Sequence, residues 1–310
     1  MTGLMRIVVM GAGGVGGYFG AKLARGGHEV AVVARGAHLE AIRRDGLRVR
    51  SSAEGDFVAR PAAVDDLRGQ APADAVLLCV KGFDTEAALD ELRPVVRPAI
   101  PVLSLQNGVS SAAIVDRALG PGHAVGGAAY VFAFREGPGV IVHQLAGWIA
   151  FGELDGRISA RAEALRDALT GAGIPVDLTA TIGRVLWEKY LFIGAQAGIS
   201  ALTRSPSGVF RAIPECWAMY RAIVEELAAL GRAEGVDLAD DVVERTMMAA
   251  SALPAEAQSS MAHDLAAGRR LELEALHGHA VRLGEHHGIP TPATRAVHAA
   301  LLPHVAGRRD

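Results

Sequence analysis

Cysteine is nearly absent. The 310 residues hold two, Cys79 in an apolar run and Cys216 beside Trp217, too few for a disulfide framework and without metal-ligand spacing. Both are expected to be packing residues in the interior. No run of about 18 apolar residues occurs, so no stretch reads as a membrane-spanning helix. Charge of one sign is lacking too: the net charge is −3 with the signs intermixed, which offers no basic field to a nucleic acid. The first residues form a strand pattern instead of a basic stretch, an apolar core and a cleavage site, and the expectation is a cytoplasmic protein. There is no internal repeat, low-complexity tract or charge block. Apolar mass, in contrast, is plentiful at 50% of the chain. A chain of this length can bury a substantial core, divided between two domains.

The stretch from Met5 to Gly20, MRIVVMGAGGVGGYFG, organises the rest. Arg6 to Met10 reads as a short buried strand that runs into Gly11-Ala12-Gly13-Gly14-Val15-Gly16, and this in turn opens a helical pattern of small and apolar residues. A glycine-rich turn between strand and helix is the dinucleotide-binding fingerprint in its structural setting. Gly11 permits the tight turn, Gly13 lets the backbone approach a pyrophosphate, and Gly16 allows close packing of helix on strand, with free N–H groups aimed at the phosphates. Glu29 to Ala34 is the second strand of this βαβ unit, and Arg35 follows it. An acidic residue here would accept hydrogen bonds from ribose hydroxyls, whereas an arginine suits a ribose 2′-phosphate. The expected cofactor is therefore NADPH/NADP. His38, close by, is assigned no role.

Leu47 to Val64 alternates weakly around Glu54-Gly55-Asp56 and is expected to form two short strands joined by a turn. Asp74 to Val80 is an apolar run of strand length that delivers Lys81 at its carboxyl end, and Ile100 to Leu105 does the same for Gln106-Asn107-Gly108. Parallel sheets bind ligands outside the carboxyl ends of their strands, so the glycine loop, Lys81 and Asn107 are expected at one crevice. Singly, Lys81 would read as a surface lysine and Asn107-Gly108 as a turn; the convergence carries the assignment. Helices at Thr85 to Leu92 and Ala112 to Leu119 complete an alternating α/β pattern. From Gly122 the pattern becomes β segments without helices, HAVGGAAYVFA, GVIVH and GWIAFGE, expected as antiparallel additions to the sheet. A helix from Ile158 to Thr170 and a strand around Val176 close the first domain, with the boundary near Thr179 to Ile182.

Beyond that boundary, apolar residues recur at helical spacing through Trp187 to Leu202, Cys216 to Ala233, Val242 to Leu253 and Leu271 to Leu283, and Thr291-Pro292 begins a last helix. The expected fold class is α/β, with a Rossmann-type dinucleotide-binding domain over residues 1–180 and an all-α C-terminal domain over 181–310. Glu274 and His277 have the spacing of a bundle-core di-metal pair, but no second pair or partner carboxylates accompany them. His277, His279, His286 and His287 are accordingly expected to face solvent, and no metal is expected.

With Trp187-Glu188-Lys189 a set of ordered motifs is complete: Val80-Lys81, Leu105-Gln106-Asn107-Gly108-Val109, Phe151-Gly152-Glu153, then WEK on the first helix of an α-domain. It continues through Ser259-Ser260-Met261, Asp264, Gly268-Arg269-Arg270-Leu271-Glu272-Leu273-Glu274 and His287-Gly288-Ile289-Pro290. Across nearly its whole length the chain resembles the ketopantoate reductases, the NADPH-dependent 2-dehydropantoate 2-reductases of pantothenate biosynthesis. The resemblance implies a small 2-oxo acid as substrate and Lys189 as the catalytic acid. Hydride delivery to a 2-oxo acid leaves negative charge on the carbonyl oxygen, and a cationic donor there becomes the proton source. It also implies that Glu272 lies close to cofactor and lysine, that Ser260 and its neighbouring backbone hold the substrate carboxylate, and that Asn107 touches both cofactor and substrate.

Three substrate-side positions depart from the family. Asparagines expected one helical turn after the lysine and four residues further on are Ile193 and Ala197 here, and a third, before a glycine in the next loop, is Ser207. Fewer amide donors mean weaker discrimination for that one substrate. A different 2-oxo acid, a 3-hydroxy acid or imine dehydrogenase, and a non-catalytic NADPH-binding regulator therefore stand beside ketopantoate reduction. The helical surfaces leave the choice between monomer and homodimer open.

Overall fold

The structure is a computed structural model and describes residues 3–308. The chain divides into two compact units. The first runs through Gln106 and resumes at Ser111–Ile182; the second comprises Asn107–Ser110 and the chain from Gly183 onward.

The first unit is α/β. Its elements in order are β1 (Arg6–Met10), α1 (Gly14–Arg25), β2 (Glu29–Val33), α2 (Gly36–Asp45), β3 (Leu47–Ser51), β4 (Phe57–Ala59), β5 (Ala62–Val64), β6 (Ala75–Leu78), α3 (Thr85–Leu92), β7 (Val102–Ser104), α4 (Ser111–Leu119), β8 (Ala124–Gly137), β9 (Val140–Gly152), α5 (Ala160–Gly171) and β10 (Val176–Leu178). The parallel part has the order β5-β2-β1-β6-β7-β8. Strand order reverses between β1 and β6, which makes the carboxyl ends of these two strands the natural ligand crevice.

β1 and β6 read as unbroken apolar runs because both their faces are covered. Ile7 and Val9 join a core with Tyr18, Phe19 and Leu23 of α1. Val8 and Met10 point the other way, into a core with Leu89 and Leu92 of α3 and Val115 of α4. Each such buried side chain contributes about 1.5–3 kcal/mol. The paired registers Met10↔Val33 and Met10↔Leu78 bring the ends of β2 and β6 level with the end of β1.

Two details differ from the sequence reading. Leu47 to Val64 forms three strands, because β5 leaves the β3–β4 hairpin and pairs with β2 at the opposite sheet edge. The segments GVIVH and GWIAFGE are one strand, β9, which bends where Ala146 (φ 60°) and Gly147 (φ 128°) interrupt its register with β8. On the edge away from β8 the strand serves two partners: its first half pairs in parallel with β3 and its second half with β10.

The second unit is helical: α6 (Ile182–Thr203), α7 (Ser207–Arg211), α8 (Pro214–Ala233), α9 (Val242–Ser251), α10 (Ser260–Ala266), α11 (His279–His287) and α12 (Pro292–Leu301), with one core built on Tyr190, Leu191, Tyr220, Leu227, Leu273 and Val297. Pro214 and Pro292 each stand in the first turn of their helices, where no intrahelical N–H is needed. Among the described residues, no helix is long and apolar enough to cross a membrane.

The pattern predicts one helix over 271–283, but the structure forms a π-helical turn at Glu274–Gly278 before α11 begins. That turn corrects the expectation for His277. The side chain is fully buried, its Nε2–H donates to the Gly194 carbonyl at 3.0 Å, and Nδ1 has no partner among the described residues. His286 is exposed, and His279 and His287 are half-buried.

Burial pushes the His277 pKa from 6.5 down to about 4. Between those values the unfolded chain binds a proton that the folded chain refuses. Stability is therefore complete above the higher value and falls as pH drops through the window, by about 3 kcal/mol. Urea unfolding of the wild type and His277→Gln at neutral and at mildly acid pH should show this acid loss shrinking in the variant. An identical loss in both would remove the assignment.

Candidate active site

The glycine loop is held at its base by ladder bonds that outlast the strands. The Ala12 N–H donates to the Val33 carbonyl at 3.1 Å, and the Cys79 N–H to Met10 at 2.9 Å. Gly11 has φ +102°, and a Cβ there would lie 2.9 Å from Val80 Cγ1, so glycine is required on both counts. A Cβ on Gly16 would run into the Gly11 carbonyl oxygen and lie 2.8 Å from Cys79 Cβ, which is the close helix-on-strand packing the motif calls for. Gly13 is the opposite case. It is exposed, with no atom within 4 Å of an added Cβ. Helix α1 starts beside it with no side-chain cap and no acidic residue in its first turn, so its N-terminal dipole is left to an anion. An open Gly13 backed by a tightly packed Gly16 is the shape that a dinucleotide pyrophosphate fits.

The neighbouring loops end at the same edge. Arg35 takes the N-cap position of α2 directly after β2; its side chain is 71% exposed and ion-paired with Glu91 of α3. Lys81, half-buried, precedes the 3₁₀ turn Gly82–Asp84 after β6. Gln106, to which the sequence reading gave no task, is 7% exposed and locks this edge. Its Nε2 donates to the Val80 carbonyl at 2.9 Å and to Thr85 Oγ1 at 2.7 Å. Its signal in the sequence is a polar residue closing an apolar strand. Cys79 is part of the packing here, and burial pushes its thiol up to about 12, which leaves it inert as a nucleophile. Cys216 packs likewise against the core of the helical unit.

In the helical unit, Lys189 and Glu272 interact electrostatically across 83 positions of the sequence. Trp187 buries its ring against Gly231 and sits edge-on to Tyr190 at 5.5 Å. The Tyr190 hydroxyl donates to the Leu276 carbonyl. This bond ties α6 to the π-helical turn that follows Glu272, which is itself 6% exposed. The same turn supports Asn107-Gly108: Gly108 has φ +92°, and its Cβ position is 3.2 Å from the Ala275 carbonyl oxygen. Lys189 is half-buried as a residue, and burial of the ammonium pushes its pKa down to about 8, opposed by the negative charge of Glu272. Desolvation and a carboxylate working against each other are the means by which a lysine is tuned toward acid–base work near neutrality.

The remaining substrate-side residues are placed less uniformly. Ser260 is exposed at the start of α10, and the capping bond there comes from Ser259, whose Oγ accepts from the Ala262 N–H at 3.0 Å. Ser207 is 1% exposed. Its Oγ donates to the Ala257 carbonyl at 3.0 Å and accepts from Gln196 Nε2 at 2.9 Å. Ser207, expected on the substrate side, thus spends both hydrogen bonds on the protein: one ties it to α6 and the other to the segment between α9 and α10. Ile193 and Ala197 belong to the apolar core.

Comparison with known proteins covers both units. The family model Ketopantoate reductase PanE/ApbA matches residues 7–156, and Ketopantoate reductase PanE/ApbA C terminal matches 181–304. A 2-dehydropantoate 2-reductase of Halobacterium salinarum is 35% identical over 297 residues, which cover 94% of this chain and 96% of its own length. The crystal structure of a PanE/ApbA family ketopantoate reductase from Ralstonia eutropha is similar with a TM-score of 0.88 and 36% identity, covering 97% of this chain and 98% of that one. The 2-dehydropantoate 2-reductase from Methylococcus capsulatus gives a TM-score of 0.86 at 31% identity, over 96% of each chain.

Proposed function

The chain belongs to the ketopantoate reductase family, and from that premise we propose that it reduces 2-dehydropantoate to pantoate with NADPH, as a step of pantothenate biosynthesis. The observation that carries this reading is the desolvated Lys189 ammonium, held to a pKa of about 8 beside the buried Glu272. A nicotinamide, when bound, supplies the hydride for the carbonyl carbon. Lys189 then donates its proton to the carbonyl oxygen, and its depressed pKa makes it a stronger acid than an ordinary lysine while leaving it charged at neutral pH. Glu272 keeps that charge favourable in a desolvated place. Gly11, Ala12, Gly13, Gly14, Val15 and Gly16 hold the pyrophosphate, with Lys81 and Asn107 contributing to the cofactor. Asn107 also contacts substrate, and Ser260 with its neighbouring backbone takes the substrate carboxylate.

NADPH oxidation by the purified protein across a panel of 2-oxo acids tests the reading, with 2-dehydropantoate expected to give the highest kcat/KM. One observation favours a second reading. Ile193 and Ala197 sit in apolar packing, so a bulkier and less hydroxylated 2-oxo acid would lose little there, whereas pantoate's hydroxyl would find no amide. Preference for such a compound over 2-dehydropantoate would move the substrate assignment. No turnover with any 2-oxo acid would end the reductase reading.

Arg35 is proposed to hold the ribose 2′-phosphate, on the strength of its exposed guanidinium at the end of β2. Arg35→Asp should weaken NADPH relative to NADH by about ten- to a hundred-fold, the worth of a charge-assisted hydrogen bond. Equal weakening of both nucleotides would count against a phosphate contact.

A further inference from the structure

His38 is a buried polar residue that the reaction does not use. It lies in the first turn of α2, 5% exposed, and both ring nitrogens are engaged. Nε2–H donates to the Ala12 carbonyl at 2.7 Å, and Nδ1 accepts from the Gly139 N–H at 2.9 Å. The two bonds define one neutral tautomer. Burial pushes the imidazole pKa down, and the charge of Arg135 adds to that effect against the Ala12 hydrogen bond. A cation is further disfavoured in the first turn of a helix. The ring thus joins the glycine loop after β1 to the turn between β8 and β9.

Ala12 is held on both sides, its N–H by Val33 and its carbonyl by His38. Peptide bonds are planar, and no cis bond occurs among the described residues. Fixing the Ala12 carbonyl therefore fixes the plane shared with the Gly13 N–H, which points the opposite way. Gly13 is the loop residue with open space around it. A donor aimed in advance at a phosphate binds more tightly than one that must be ordered on binding.

We propose that His38 is a positioning residue for the dinucleotide: through the Ala12 carbonyl it orients the Gly13 N–H toward the pyrophosphate. The inference rests on the cofactor reading above and adds to it a residue outside the glycine motif. It separates the two bonds of the ring, since a glutamine amide places a donor near Nε2 and an asparagine amide places an acceptor near Nδ1.

The test is NADPH affinity, followed by nucleotide fluorescence, for wild type, His38→Ala, His38→Gln and His38→Asn, with kcat measured at saturating NADPH and Tm for each. His38→Ala should raise the Kd on the order of ten-fold, the worth of one buried hydrogen bond and its orienting effect. His38→Gln should recover most of the affinity and His38→Asn should not, while kcat at saturation stays within about two-fold. Should His38→Ala fold poorly, the Gln and Asn pair decides alone. Equal affinity of Gln and Asn variants, or wild-type affinity in all three, overturns the inference while leaving the cofactor reading standing. A wild type that binds no dinucleotide overturns the cofactor reading and this inference together.

Discussion

Lys189→Ala is expected to lower kcat/KM for the preferred 2-oxo acid by about a hundred- to ten-thousand-fold, the usual range for loss of a general acid. NADPH affinity should change far less, because the glycine loop belongs to the other compact unit of the chain. The wild-type pH profile carries the same claim. With the ammonium pKa pushed down to about 8, the proton donor is present below that value and is lost as pH rises through it. The reductive kcat/KM should therefore decline on the alkaline side of about 8 and not near 10.5, the ordinary lysine value. Glu272→Gln removes the negative charge that raises the Lys189 pKa, so its alkaline limb should move to lower pH. An alkaline limb that survives unchanged in Lys189→Ala would show that some other group donates the proton.

Two glycines of the loop should fail in different ways. Gly16→Ala puts a methyl group against the Gly11 carbonyl oxygen and Cys79 Cβ, both inside the strand–helix contact. Overpacking of this kind costs roughly 1–3 kcal/mol, so Tm should fall by several degrees and NADPH binding should fall with it. Gly13→Ala meets no protein atom within 4 Å, and Gly13 has φ −72°, which alanine adopts freely. Its Tm should match wild type while its NADPH Kd rises ten-fold or more, since the methyl group occupies space left for the phosphates. Circular dichroism melts alongside NADPH titration separate the two. A Gly13→Ala protein that binds NADPH like wild type would mean that the pyrophosphate does not approach there.

The first unit was legible because its signals are local. An apolar run covered on both faces, a glycine loop and an uncapped helix follow one another within residues 5–25, and neither the strand nor the helix needs a distant residue to be recognised. Helical periodicity gave the second unit for the same reason. The errors lie where a distant contact outweighs the local pattern. β5 pairs with β2 at the far edge of the sheet, which alternation along Leu47 to Val64 cannot show. The helix expected over 271–283 carries a π-helical turn pinned by Tyr190, and His277 goes inside, where Gly194 offers it a carbonyl. Ser207 reads as a polar loop residue until Gln196 and Ala257 take both of its hydrogen bonds.

Residue order by itself specified the class of fold and the strand–glycine turn–helix unit at its start, since short-range pattern and residue type are enough for each, and it singled out Lys189 as the proposed acid. Tertiary structure alone decided that Lys189 carries a depressed pKa, that Gln106 locks the loops after β6 and β7, and that His38 grips Ala12. Those properties depend on burial and on partners 21 to 83 positions away in the chain, and no local pattern records how far water is excluded from a group or what stands opposite it.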